Sequence, residues 1–429
     1  MTASQEAMPT ARQTALSWWP ATLLFVAFLA LLPLSVQAKQ LFAKQSFTEQ
    51  DAVSVRDSAG AVLYEWQADK ALVPASLTKL VTADLAIDKW GIDHHFSTEF
   101  YLLGNQLWVR GLADPYLVSE ELDVIAQRLQ AKMPATVDSI MIDTSYMAKE
   151  VVPGRTRVAD PYNAPLSAVA ANFNTVMLKR VNGALATAEP QTPLTDTARR
   201  LAHQSGVKIG AQATRINLVD ADNAQQHFAQ LLGLKLREQG FPRVISNFAI
   251  NQQLPAQAKR MLRHENSKTL ADVLRGTLEY SNNFIANQLF LLLAESSGDA
   301  RLSFSQAQNY AKQALAQSSY QSARLIEGSG LSRQNRINAS DLHKVLEKLV
   351  AHRTLLKRYE LTVTAAGGKE HLVAYAKTGT LDGVRTYAGF LERGEQLFQF
   401  VFMFNRATPY QYREQLLQTL ANQLVLSSH

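Results

Sequence analysis

Residues 74–87 have the sequence PASLTKLVTADLAI, which predicts a helix that is largely buried. Pro74 is typical of a helix start, because its fixed φ suits the first turn. Gly91 is the expected stop. Residues three apart share a helical face, so Lys79 is predicted to lie beside Ser76 in the first turn. The apolar positions form one helical stripe, at Leu77, Leu80, Val81 and Leu85.

Two further short strings follow this helix, and the ordered set is more informative than any member. Ser281-Asn282-Asn283 lies in an apolar helical run over residues 269–294, and Lys377-Thr378-Gly379 lies on a strand predicted over residues 373–379. Each string alone also fits a structural role, such as a helix cap or an edge strand. A second Ser-x-x-Lys string at residues 205–208 shows how weak one match is.

The residue types in the set suit acyl transfer through a serine ester. A serine hydroxyl needs a base within hydrogen-bond reach, and Lys79 is placed to serve Ser76. Burial and a second nearby cation, Lys377, are expected to lower the pKa of Lys79. The backbone amides of Ser76 and Thr380 are the expected donors to an oxyanion.

The remaining residues have predicted supporting roles. Ser281 is expected to pass a proton between Lys79 and the leaving amine, and Asn283 to bond both Lys79 and the substrate backbone. Lys377 supplies positive charge. The hydroxyls of Thr378 and Thr380 are expected to bind a substrate carboxylate, and Gly379 to let the peptide approach the strand.

Composition narrows the class of protein. A chain of 429 residues is longer than a domain with a single hydrophobic core usually is, so more than one domain is expected. The net charge of +6 is modest. The sequence contains no run of basic residues interleaved with aromatic residues, the pattern that would indicate nucleic-acid binding. With no cysteine there is no disulfide or thiolate site, and the histidines lack ligand spacing. No cofactor and no metal are expected.

The first 38 residues have the features of an export signal. Residues 13–38 carry no charge, their centre is strongly apolar, and Val36-Gln37-Ala38 offers a cleavage pattern. Residues 1–38 are therefore predicted to be a signal peptide. The alternative is an uncleaved membrane anchor through residues 14–36. Either reading predicts an exported, periplasmic body.

The body is predicted to be an α+β protein in two parts around an insert. Residues 39–92 form the first part, 93–264 an inserted α+β region, and 265–429 the second part. A hairpin is expected over residues 52–66. The second part ends with three antiparallel strands and a closing helix, and the strand that carries Lys377 is predicted at the sheet edge. The predicted segments are residues 373–379, 385–391, 397–405 and 410–426.

With these residues in hand, the chain resembles the class C low-molecular-mass penicillin-binding proteins, which are D-alanyl-D-alanine carboxypeptidases and endopeptidases. The resemblance extends through nearly the whole body, and the interval of about 205 residues between Ser76 and Ser281 is typical of this group. One departure is Glu327, where the family usually has aspartate. Further similarity lies at residues 111–115, 162–167, 327–335 and 377–381.

The resemblance implies a penicillin-binding/β-lactamase-like transpeptidase fold, an antiparallel sheet sandwiched by helices, with a large inserted α+β region. It implies that Ser76 is the acylated nucleophile and Lys79 the base. The implied substrates are peptidoglycan stem peptides, cut at a D-Ala–D-Ala or D-Ala–diaminopimelate bond, and the implied inhibitors are β-lactams.

Two alternatives remain open from the sequence. A cell-wall-binding or regulatory protein of low activity would keep the same pocket, and the short stretch before Lys377 motivates this reading. A β-lactamase or esterase would use the same scaffold, although no water-activating base is evident outside the three strings. The sequence does not separate carboxypeptidase from endopeptidase action, because that depends on how the insert shapes the cleft.

Overall fold

The computed structural model describes residues 41–243, 245–295, 301–365 and 368–426. The predicted signal segment, residues 1–38, lies outside the described residues. In the part of the chain that is described, no helix has both the length and the apolar character that a membrane span requires.

The elements of the described residues are as follows. The strands are β1 (Asp51–Arg56), β2 (Val62–Trp66), β3 (His95–Leu103), β4 (Gln106–Gly111), β5 (Ser139–Asp143), β6 (Thr175–Val181), β7 (Ala184–Thr187), β8 (Thr214–Asn217), β9 (Asn247–Gln252), β10 (Lys259–Thr269), β11 (Lys357–Ala365), β12 (Gly368–Leu381), β13 (Val384–Arg393) and β14 (Gln396–Phe404). The α-helices are α1 (Thr78–Trp90), α2 (Ser119–Gln130), α3 (Asp196–Gln204), α4 (Ala221–Glu238), α5 (Leu270–Leu278), α6 (Asn283–Leu292), α7 (Phe304–Gln317), α8 (Ala339–Leu349) and α9 (Tyr412–Leu426).

The two ends of the chain build one antiparallel sheet of six strands, in the order β11-β12-β13-β14-β1-β2. A core that includes α1, α5, α6, α7 and α8 covers one face. Helix α9 covers the other face, where Leu416 and Leu420 join a cluster with Phe400 and Phe402. The predicted α+β sandwich is confirmed, and its sheet has more strands than the three predicted near the end of the chain.

The predicted edge position of the Lys377 strand holds for the part of β12 that carries the third string, and not for the part before it. Strand β11 pairs with β12 only from Gly368 to Ala376, whereas β13 pairs with β12 from Val373 to Leu381. The sequence of β11 alternates, with Leu361 and Val363 buried between exposed neighbours. This period of two is a strand signal. Lys377, Thr378 and Gly379 therefore lie beyond the end of β11, where β13 is their strand partner among the described residues.

The large inserted α+β region is also confirmed. It contains a five-stranded sheet in the order β10-β3-β4-β5-β9 and a three-stranded sheet in the order β7-β6-β8. Helices α2 and α4 contribute Ile125 and Phe228 to the core of the larger sheet. Strands β3 and β10 pair, with Thr98 opposite His264, so the insert begins and ends on neighbouring strands. The boundaries at residues 92/93 and 264/265 stay predictions.

Candidate active site

Ser76 lies in a tight 3₁₀ turn, Ala75–Leu77, that leads directly into α1. The sequence placed Ser76 in the first turn of the α-helix; the structure places it one step earlier. Ala75 is fully buried and has a φ of +48°, a left-handed conformation that costs a non-glycine residue free energy. Such strain persists only where the surroundings enforce it, so the nucleophile turn is held by its neighbours.

Two glycines, Gly330 and Gly379, lie against the backbone of the nucleophile turn. A Cβ on Gly330 would lie 1.8 Å from the carbonyl oxygen of Ala75. A Cβ on Gly379 would lie 2.1 Å from Thr386 Oγ1 and 2.9 Å from the backbone nitrogen of Ser76. The sequence assigned Gly379 to the approach of a substrate peptide. The structure shows that its missing side chain makes room for the backbone that carries Ser76.

Lys79 lies at the centre of the site and is fully buried. Its Nζ donates to Ser76 Oγ at 3.1 Å, to Asn283 Oδ1 at 2.7 Å and to the Ser329 carbonyl oxygen at 2.6 Å. Burial lowers the pKa of Lys79 to about 7, and the carboxylate of Glu327 opposes this shift. A useful fraction of the amine is therefore neutral near pH 7, as a base for Ser76 requires.

The second string lies in a break between two helices, α5 and α6, where the sequence predicted helices in a mostly apolar run with Ser281 and Asn283 on a loop or helix end. Ser281 has a φ of +58°, and the side chain of Asn282 accepts from the Ile285 amide, which caps α6. Asn283 is the first residue of α6. The break turns the hydroxyl of Ser281 toward β12, where Lys377 Nζ donates to it at 2.9 Å.

Lys377 therefore pairs with Ser281, whereas the sequence linked Ser281 to Lys79. Lys377 Nζ also donates to the Thr378 carbonyl oxygen at 2.9 Å. Burial lowers the pKa of Lys377 well below its usual value, and repulsion from other cations, with Lys79 foremost among them, lowers it further. The sequence predicted that Lys377 would lower the pKa of Lys79. In the structure, the repulsion between the two lysines lowers the pKa of Lys377.

The loop that begins at Glu327 supports the base. The Glu327 carboxylate is fully buried and accepts hydrogen bonds from the backbone amides of Ser329 at 2.9 Å and Gly330 at 2.8 Å. It also accepts from Asn335 Nδ2 at 2.6 Å. These bonds aim the Ser329 carbonyl at Lys79 and fix Gly330 against the nucleophile turn. Glu327 thus accepts the hydrogen bonds of the loop's donors from the position where aspartate was expected.

The third string presents alternate side chains to the cleft. Thr378 is half-buried and Thr380 exposed, and both line the same cavity as Ser76. Arg413, from the first turn of α9, lies behind them: its Nη1 donates to the Gly379 carbonyl oxygen at 2.9 Å and to Thr380 Oγ1 at 3.0 Å. Sequence reasoning missed Arg413, because its helix carries no motif and lies outside the three strings.

A cavity of about 940 Å³ brings the predicted residues together. Its walls include Ser76, Ser281 and Asn283, together with Thr378 and Thr380. Insert residues between positions 153 and 163 form another wall. Lys79, Lys377 and Gly379 lie directly behind this surface. No group of three acidic, histidine or cysteine side chains suited to a metal occurs among the described residues.

Comparison with known proteins identifies the family. The profile of the D-Ala-D-Ala carboxypeptidase 3 (S13) family matches residues 36–423. The chain belongs to this family. The S13 chain is similar to the D-alanyl-D-alanine carboxypeptidase of Actinomadura sp. strain R39, with 24% identity over 81% of this chain and 76% of that protein.

Similarity to DacB of Haemophilus influenzae, also called penicillin binding protein 4, is found in both sequence and structure. The D-alanyl-D-alanine carboxypeptidase DacB is 29% identical over 41% of this chain, and the match spans only 39% of DacB. The crystal structure of penicillin binding protein 4 superposes with a TM-score of 0.65 and 18% identity, over 92% of this S13 chain and 99% of the other. A second structure of that protein, in complex with a β-lactam, has a TM-score of 0.63 and 19% identity, over 91% and 99% of the two chains. These structures show that the fold is shared.

Proposed function

We propose that the protein is a serine-type D-Ala-D-Ala carboxypeptidase that acts on peptidoglycan stem peptides through an acyl-enzyme. The observation that carries this proposal is the contact of Ser76 Oγ with a buried lysine, Lys79 Nζ, at 3.1 Å. Membership of the S13 family supports the reaction class. An exported, periplasmic protein with residues 1–38 as a signal peptide is part of the same proposal.

In the first half-reaction the oxygen of Ser76 attacks the carbonyl carbon of the penultimate D-Ala. Neutral Lys79 takes the hydroxyl proton as the new ester bond forms. The backbone amides of Ser76 and Thr380 stabilise the oxyanion, and loss of one such donor typically costs about 100- to 1,000-fold in rate. Thr378 and Thr380 hold the terminal carboxylate of the substrate.

The carbon–nitrogen bond then breaks, and the leaving amine needs a proton. Ser281 supplies it and regains one from Lys377, which donates to its oxygen at 2.9 Å. Asn283 accepts from Lys79 through Oδ1 at 2.7 Å, and its Nδ2 donates to the Tyr162 carbonyl oxygen at 3.1 Å. Water then attacks the ester, and its proton passes through Ser281 to Lys377. Lys79 returns its proton to the Ser76 oxygen as the acyl group is released, which restores Ser76 and both lysines. β-Lactams, whose ring amide resembles the scissile bond, are proposed to acylate the same oxygen and act as inhibitors.

Labelling with a fluorescent penicillin tests the nucleophile. Ser76→Ala is expected to abolish covalent labelling, because Ser76 supplies the hydroxyl that contacts Lys79 Nζ. Ser205→Ala is the matched control: Ser205 begins the other Ser-x-x-Lys string, and its hydroxyl donates to the Ala202 carbonyl oxygen and accepts from the Val207 amide. Labelling of Ser76→Ala at the wild-type rate would refute the assignment.

Endopeptidase action is part of the proposal because residues of the insert share the walls of the cleft with the three strings. Insert residues such as Arg157 and Asp160 line the same cavity and would meet a larger leaving group. Digestion of purified muropeptides, followed by mass spectrometry, separates the two activities. Released D-Ala indicates carboxypeptidase action, and cleaved cross-links indicate endopeptidase action.

The same assays decide between the proposal and its alternatives. A penicillin adduct without any peptide turnover would favour a wall-binding or regulatory role. Rapid hydrolysis of penicillin, with the adduct lost within seconds, would favour a β-lactamase or esterase. A long-lived adduct together with release of D-Ala is the expected result.

A further inference from the structure

Arg413 is a buried cation directly behind the ledge formed by Thr378 and Thr380. Its side chain is 3% exposed, and its guanidinium lies 5.0 Å from the ring of Tyr410 and 6.0 Å from that of Tyr387. Its Nε donates to Glu414 at 2.9 Å. A guanidinium so enclosed has little rotational freedom, so its remaining donors point in fixed directions.

One of those donors binds the oxygen of the Thr380 hydroxyl. Nη1 of Arg413 donates to Thr380 Oγ1 at 3.0 Å and to the Gly379 carbonyl oxygen at 2.9 Å. Arginine has no acceptor, so Thr380 must accept in this contact and its own hydrogen is free to point elsewhere. Thr380 is exposed to the cavity that Ser76 lines. The hydroxyl is thus prepared to donate into the cleft.

We propose that Arg413 is a positioning residue that makes the site selective for a free carboxylate on the residue after the scissile bond. It acts by orienting Thr380 as a donor and by adding a positive charge behind the ledge. This proposal rests on the proposed function and names a specificity determinant for it. A neutral carboxamide in the same place offers one weaker acceptor oxygen and no charge, so it gains far less from the arrangement.

The charge of Arg413 also acts on Lys377. Together with Lys79 and Lys357, it contributes to lowering the pKa of Lys377, after burial as the main cause. Cations that repel one another in a buried place strengthen the attraction for an anion that enters the cleft. A substrate carboxylate at Thr378 and Thr380 would relieve this repulsion.

The test compares two substrates that differ only at the carboxylate. Wild-type protein is incubated with a peptide ending in D-Ala-D-Ala and with the same peptide as its C-terminal amide, and the released D-Ala or D-alaninamide is measured. The wild type is expected to prefer the carboxylate by about 100-fold in kcat/KM. Arg413→Gln is expected to reduce that preference by about 10-fold or more, while the amide substrate changes by less than about threefold. Arg413→Lys keeps the charge and is expected to fall between the two.

A second variant keeps the proposal testable if Arg413→Gln does not fold. Thr380→Val, at an exposed position, removes the hydroxyl that Arg413 orients and is expected to cause a similar loss of preference. In a Thr380→Val background, a further change at Arg413 is expected to cost much less than it does alone, since both act through one contact. Additive losses would contradict the proposed path.

Arg406→Gln is the matched control. Arg406 also stacks on a tyrosine, Tyr412, and its Nε donates to both carboxylate oxygens of Asp51 at 3.0 Å, away from the Thr380 ledge. This variant is expected to lose stability and keep the preference for a carboxylate. Equal losses on both substrates in Arg413→Gln would overturn the inference. A wild type that forms no penicillin adduct would instead refute the proposed function itself.

Discussion

The pH dependence of acylation tests the role of Lys79 most directly. The perturbation is the pH of the labelling reaction, and the protein is otherwise unchanged. Burial lowers the pKa of Lys79 to about 7, so the amine gains its proton as the pH falls through this value. Only the neutral amine can take the proton of Ser76. The acylation rate is therefore expected to rise with pH and to level off above the pKa.

The size of the effect follows from the pKa. With a pKa of about 7, roughly a tenth of the amine is neutral at pH 6 and roughly nine-tenths at pH 8, so the rate rises about ninefold over this interval. Among the described residues that line the cavity none is a histidine, so the midpoint near pH 7 is assigned to Lys79, directly behind the cavity wall.

The assay is stopped-flow or quenched labelling with a penicillin whose own charge is constant over this range. A rate that stays flat between pH 6 and pH 8, or that falls as the pH rises, would refute the assignment of Lys79 as base. A parallel thermal denaturation series at each pH is the control. It shows that the lower rate at acid pH does not come from unfolding.

Two further predictions concern the residues packed around the nucleophile turn. Gly379→Ala would force a Cβ to within 2.1 Å of Thr386 Oγ1. We therefore expect at least about a 100-fold loss in acylation rate and a loss of about 1–3 kcal/mol in the free energy of unfolding. Gly210→Ala is the control, because no atom lies within 4 Å of the added carbon, and it should match wild type in both assays. Glu327→Gln removes the charge that raises the pKa of Lys79, so the midpoint of the pH profile should move to lower pH, with a loss of about 1–3 kcal/mol in the free energy of unfolding from the weakened loop bonds. A midpoint that moves to higher pH would contradict the electrostatic role of Glu327.

Much of the fold could be predicted because local patterns agree with the final structure. The alternation in residues 52–66 predicted the hairpin that became β1 and β2, and the apolar stripe after Pro74 predicted α1. The pairing of β11 with the first part of β12 could not be predicted in this way. Sheet order depends on pairing between distant segments, and β11 supplies a neighbour whose own pattern is short and partly exposed.

The candidate site shows the same limit at the level of single residues. The spacing of Ser76 and Lys79 on one turn predicted their contact, because helix geometry is local. The pairing of Ser281 with Lys377 depends on a left-handed residue between two helices, which the apolar run around it concealed. Arg413 enters from a helix that only the folded sheet brings to Thr380.

The place of β1 in the sheet has a consequence for biosynthesis. β1 is the first strand of the described chain, yet it lies between β2 and β14, with Asp51 opposite Phe404. A ribosome has to finish almost the entire polypeptide before that partner strand emerges. Until then the six-stranded sheet behind the Ser76 turn is incomplete, so the nascent chain can neither complete its folding nor attack a peptide. Newly made molecules are therefore expected to stay inert until synthesis is complete.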